Sequence, residues 1–168
     1  MARTHDIAEA LERIAPIPLS EEWDNCGLQV GDPEAEVSRV LVALTPLEEV
    51  FDEAEERGAD FLLFHHPLLF GALKSVDTGS YPGDLVAWAV RRDLTVYAAH
   101  TSYDAAPGGV SVALAETLGL RGPFEIVAPP PTSTPSASSA GVWRPRTVLA
   151  HHTSGTRSRA GSAHPPKT

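Results

Sequence analysis

The chain has 168 residues, 42% of them hydrophobic, with 22 Asp and Glu against 13 Lys and Arg and a formal net charge of −9. That length suits one domain with a tail, and no apolar run approaches the ~20 residues of a membrane span. A single cysteine, Cys26, excludes an internal disulfide and a thiolate zinc cluster, and residues 1–6 lack an apolar signal region, so a cytoplasmic protein is expected.

The charge is unevenly placed. All 22 acids lie at or before Glu125, whereas Arg144, Arg146, Arg157, Arg159 and Lys167 follow position 129. The body up to Ala128 thus carries eight bases and a net charge of −14. Such a body disfavours non-specific binding to nucleic acid.

In chain order, Ile7, Ala8, Leu11 and Ile14 recur at helical spacing behind Thr4 as an N-cap, and Pro16 and Pro18 stop that helix. Trp23-Asp24-Asn25-Cys26-Gly27 carries turn chemistry with an aromatic anchor: a buried turn in the plain reading, a substrate-facing one in the sharper. Cys26 reads as a small buried hydrophobe, with a soft ligand or nucleophile as the alternative. Val37 to Leu44 predicts a buried strand. Thr45 as cap, Pro46 at the first helical position and Glu48 for a capping box predict the next helix. Its apolar face is Leu47, Val50, Phe51 and Ala54, and Gly58 ends it. The strand Phe61 to Phe64 follows. A polar loop, Lys74 and Ser75 to Gly83, sits where a cover over a site belongs and otherwise reads as an ordinary loop. Asp84 to Arg92 predicts a helix with Leu85, Trp88 and Ala89 inward, Leu94 to Ala99 a strand, and Gly109 to Leu118 a helix with Val110, Leu114 and Leu118 on one side. Alternating strands and helices imply βαβ units: an α/β fold with a largely parallel sheet and flanking helices.

That order has a chemical consequence. Sites in open α/β sheets form beyond the carboxyl ends of the strands. His65 and His66 end one strand; His100, with Asp104 four positions on, ends another. Imidazole and carboxylate are the ligands of zinc, manganese, iron and nickel. Alone, the His65-His66 pair reads equally as two polar residues opening a loop, and neighbours on a strand point to opposite faces unless the chain turns. His100 and Asp104 come side by side only if their segment coils; otherwise one is a ligand and the other orients it. Pro107-Gly108-Gly109 before a helix presents N–H groups suited to a phosphate, and reads equally as an ordinary helix entry.

Three segments then carry a resemblance: Glu22 to Gly31 (EWDNCGLQVG), Phe64 to Phe70 (FHHPLLF) and Ala99 to Val110 (AHTSYDAAPGGV). In this order and at these distances the chain resembles the Nif-like dinuclear metal-centre proteins, known as GTP cyclohydrolase I type 2 homologues, over residues 4 to 128. The resemblance implies a two-lobed α/β fold, ring-shaped homo-hexamers and two divalent metal ions per chain in a cleft. It implies that His65 and His66 each take one metal, that Asp104 joins the metal of His66, and that His100 is a near neighbour of the site. It implies metal-dependent hydrolysis of nucleotide-like or phosphorylated small molecules; no catalytic residue is assigned, and the turn at Gly108 and Gly109 is placed to meet a phosphate. The alternative is a non-catalytic metal-binding or interaction protein. The family's second half supplies a His and a bridging Glu, and no acid follows Glu125 here. Thr45 stands where relatives carry Asp, and Ser102-Tyr103 replaces Asn-Leu. The expected organisation is one lobe of the two-lobe fold at 1–128 and a low-complexity, disordered tail at 129–168, from a truncated or frameshifted reading frame or a genuine basic tail.

Overall fold

Three short apolar strands build the centre of the fold. The structure, a computed structural model, describes residues 1–127 and 147–150. Strand β1 (Ala2–Arg3) leads into α1 (Thr4–Ile14); a 3-10 turn (Ile17–Leu19) follows, then β2 (Gly27–Val30), β3 (Glu36–Val37) and β4 (Val40–Ala43). Next come α2 (Glu48–Arg57), β5 (Phe61–Phe64), α3 (Gly83–Arg91), β6 (Thr95–Ala98), α4 (Thr101–Ala105), α5 (Val110–Thr117), β7 (Phe124–Val127) and β8 (Thr147–Ala150). The principal sheet has the order β2-β6-β5-β4, with β4, β5 and β6 parallel and β2 antiparallel at one edge. The expected α/β fold with a largely parallel sheet is the observed one. Among the described residues no helix is long and apolar enough to cross a membrane.

Alternation along the strands divides the sheet into two faces. Leu62, Phe64 and Val96 pack with Phe51 and Ala54 of α2 and with Leu85 and Ala89 of α3, all nearly inaccessible to solvent. Phe61 and Tyr97 point the other way, against Ile7, Ala8 and Leu11 of α1. Val42 of β4 and Leu44 just after it are 70% and 63% exposed. Val110, Leu114 and Leu118 are also exposed, so the apolar side of the last long helix is not a core face.

Several local expectations are corrected. The run 37–44 is two strands, broken where Asp60 accepts hydrogen bonds from the Ser38 and Arg39 backbone N–H groups and the Ser38 hydroxyl, at 2.6–3.0 Å. Thr4 lies inside α1, its side chain buried against Thr95, and Arg3 occupies the cap position. Leu47, not Thr45, precedes α2, without a side-chain cap, because the Thr45 hydroxyl is used elsewhere. Gly58 ends α2 with φ +61°, as expected. Strand β2 was not foreseen: the sequence shows only turn chemistry before it. It ends at Gly31, whose φ of +125° and approach to Thr95 leave no room for a Cβ. Of 129–168, only Thr147–Ala150 is described; it pairs antiparallel with Phe124–Val127, and the rest of the expected tail lies outside the described residues.

Candidate metal centre

The parallel register carries the site residues to one edge. Strand β5 pairs Leu63 with Val42 and with Tyr97, and Phe64 with Ala43 and with Ala98, so the residues following all three strands emerge together. The pairing runs one step further on each side: His65 N–H donates to Ala43 O at 3.2 Å, His66 N–H to Leu44 O at 2.9 Å, and Ala99 N–H to Phe64 O at 2.9 Å. The chain bends at 65–66, so both imidazoles serve one site, with ring centroids 5.1 Å apart. His100 joins them, 5.2 Å from His65 and 5.8 Å from His66.

The three rings are each fixed through Nδ1. His65 Nδ1–H donates to the Ala99 carbonyl at 3.0 Å, which leaves Nε2 with the lone pair. His66 Nδ1 shares a 2.8 Å hydrogen bond with the Thr45 hydroxyl. His100 Nδ1–H donates to Asp24 Oδ1 at 3.0 Å. One ligand atom from each of the three histidines lies within 4.8 Å of the other two. Orienting an imidazole through its far nitrogen is how proteins prepare it to bind a metal. Burial, then the neighbouring His65 and His100, push the pKa of His66 below its ordinary 6.5, against the opposing pull of Asp104. A neutral ring keeps its lone pair available to a cation.

Asp24 anchors this arrangement from 76 residues away. Its side chain is fully buried. It accepts from His100, from the Asn25 N–H at 2.8 Å, from the Thr101 N–H at 3.0 Å, from the Thr101 hydroxyl and from Cys26 Sγ at 3.2 Å. Burial alone would raise its pKa; the hydrogen bonds from Thr101, His100 and Cys26 outweigh that and hold it at about 2. A permanently ionised carboxylate therefore faces His100 Nδ1. The sequence marks Trp23 to Gly27 as a turn without assigning Asp24 a role, because spacing cannot pair a carboxylate with a ring so far along the chain. Cys26 is half-buried and donates to that same carboxylate.

Asp104 completes the group. The segment after β6 coils: Asp104 N–H donates to His100 O at 3.0 Å, which puts the two residues on one side of α4. Its Oδ1 lies 3.7 Å from His65 Nε2. Gly108 and Gly109 sit at the entry to α5. The Gly109 N–H donates to Ala106 O at 2.9 Å, and a Cβ there would fall 1.8 Å from Tyr103 O, so close packing is what requires this glycine. Beside the histidines opens an apolar cleft of about 570 Å³, lined by Val42, Leu44, Leu63, Tyr103 and Val110 together with His65 and His66.

Known proteins share the sequence and the fold of this chain. The sequence pattern of the Duf34/NIF3 (NGG1p interacting factor 3) family matches residues 2–156. A Clostridium perfringens protein named GTP cyclohydrolase 1 type 2 homolog is 40% identical over 119 residues, covering 71% of this chain and 45% of that one. A Halalkalibacterium halodurans protein of the same name is 38% identical over 167 residues, covering 98% and 43%. The crystal structure of a Bacillus cereus protein related to NIF3 superposes with a TM-score of 0.70 at 41% identity, covering 77% of this chain and 35% of that one. The chain spans less than half the length of these curated relatives. The family pattern spans most of the chain, the relatives are about 40% identical, and the fold superposes, so the chain belongs to the Duf34/NIF3 family.

Proposed function

We propose that the chain binds a divalent metal ion through the Nε2 atoms of His65, His66 and His100, with Asp104 beside His65 as a further ligand. The observation that carries this reading is the convergence of three imidazoles whose Nδ1 atoms are already engaged. The donor set suits zinc, iron, manganese and nickel alike. When bound, such an ion acidifies a coordinated water and offsets negative charge on a phosphate or carbonyl oxygen. The chain's own residues hold the rings in position, and the cleft beside them accommodates a small molecule.

In the wider protein we infer metal-dependent hydrolysis of a nucleotide-like or phosphorylated small molecule, in keeping with the names of the curated relatives. A non-catalytic metal-holding role is the second reading. Calorimetric titration with zinc or manganese tests the binding claim. Saturable binding that collapses in a His65→Ala, His66→Ala, His100→Ala triple variant supports it; equal affinity in the two proteins overturns it. Turnover of nucleotide substrates by the loaded protein separates the two functional readings.

A further inference from the structure

Two large aromatic side chains stand at the rim of the histidine cluster and remain in water. Trp23 is 48% and Phe70 57% exposed. Their ring centroids are 5.7 Å apart, and each lies 6.3 Å from the His100 ring, which meets them edge-on. Rings left half exposed forgo much of the hydrophobic stabilisation that burial would give them.

Their placement is nevertheless built. Strand β2 carries a bulge between Leu28 and Val30, and the residue it contains, Gln29, reaches the loop after β5. Gln29 Oε1 accepts from the Leu69 N–H at 2.7 Å, and Gln29 Nε2 donates to Asn25 O at 2.5 Å. Asn25 Nδ2 donates to Leu69 O at 2.6 Å. These hydrogen bonds stitch the turn that bears Trp23 to the loop that bears Phe70. The next residue after Trp23 is Asp24, which orients His100. One turn thus fixes a candidate ligand and presents an aromatic surface next to it.

We propose that Trp23 and Phe70 form a stacking platform for a planar heteroaromatic ring, and that the substrate of this site carries such a ring. This rests on the metal-centre reading for what happens to the substrate, but not for whether the ring binds. The Trp23 ring lies 6.3 Å from that of His100, so a ring seated on it brings its attached group towards the histidine cluster. Stacking on an aromatic face is tolerant of substituents, so the platform selects the class of compound rather than one member.

Nuclear magnetic resonance titration of the full chain with adenosine, with ribose as the ring-less control, tests the proposal. Both probes are uncharged, so neither the acidic body nor a metal ion biases the result. The expected result is saturable upfield shifts of the base protons, from ring current, with affinity at least about tenfold above that for ribose. Trp23→Leu should abolish the preference, and Trp23→Phe, which keeps a smaller face, should retain part of it. The wild-type ring-current shifts stand as the test should the leucine variant fail to fold. Equal affinity for adenosine and ribose, or a preference that survives in a Trp23→Leu, Phe70→Leu variant, overturns the proposal, as does absence of binding because protein covers the rim. Zinc titration of the same wild-type sample reports separately: zinc bound without adenosine preference overturns the platform alone, and adenosine preference without zinc overturns the metal reading alone.

Discussion

The sealed face of the sheet and the strand-end rim are built from adjacent residues on opposite terms. Phe64 is buried against Phe51, with ring centroids 6.1 Å apart, and needs only an apolar neighbour of the right volume. His65 is the next residue and is held by a specific carbonyl, that of Ala99. The sealed face therefore governs whether the chain folds, and the rim governs what it can hold. Substitutions in one region should leave the property of the other largely intact, and four predictions test that separation.

The largest effect belongs to the sealed face. Phe51→Ala should cost about 3–5 kcal/mol of stability, because the ring is fully buried and its neighbours cannot collapse into the space. Urea unfolding measures this, and a loss below about 1 kcal/mol would break the comparison from the core side.

His66→Ala should do the reverse. The ring is only partly buried, and its described side-chain hydrogen bond is to the Thr45 hydroxyl, so the unfolding midpoint should move little. Zinc affinity should fall about a hundredfold, as for loss of a ligand or of its closest support. A large drop in stability with zinc affinity unchanged would show that His66 is a structural residue.

Asp24→Asn should weaken zinc binding by about ten- to hundredfold without removing a ligand, since it loosens the orientation of His100. Calorimetry measures this, and unaltered affinity would take His100 out of the centre. Smallest is Asp60→Asn. Burial raises the pKa of Asp60, but hydrogen bonds from Ser38 and Arg39 outweigh this and place it below the ordinary 3.8. A carboxyl depressed on folding contributes stability that is present above pH 3.8 and is lost as the pH falls towards its folded value. The variant should thus be slightly less stable at pH 7, with the difference closing below pH 3.8. Thermal melts across that range check the sign.

The legible parts of the sequence were those where chemistry is local. The run Phe61 to Phe64 is apolar throughout because β5 is covered on both faces, and its bounds match those read from the sequence. Gly58 could be placed because a left-handed helix end favours glycine. The strand-end position of His65, His66 and His100 followed from the order of elements alone. What stayed hidden depends on contacts between distant segments. Thr45 has the composition of a cap and serves His66 instead. Asp24 looks like a turn residue and instead accepts from His100 Nδ1–H across the fold. Gln29 sits in an unforeseen edge strand, where a bulge turns it towards the loop that follows β5. His100, implied by the resemblance to be a neighbour of the site, lies within the cluster with His65 and His66, its Nδ1 held by Asp24.

The central claim is that three imidazoles anchored through Nδ1 hold one metal ion. Crystals grown with zinc and measured at the zinc absorption edge test it most directly. The account predicts an anomalous peak about 2.0–2.1 Å from the Nε2 atoms of His65, His66 and His100. A zinc-loaded crystal with no peak there, or with a peak bound through other residues, would contradict it.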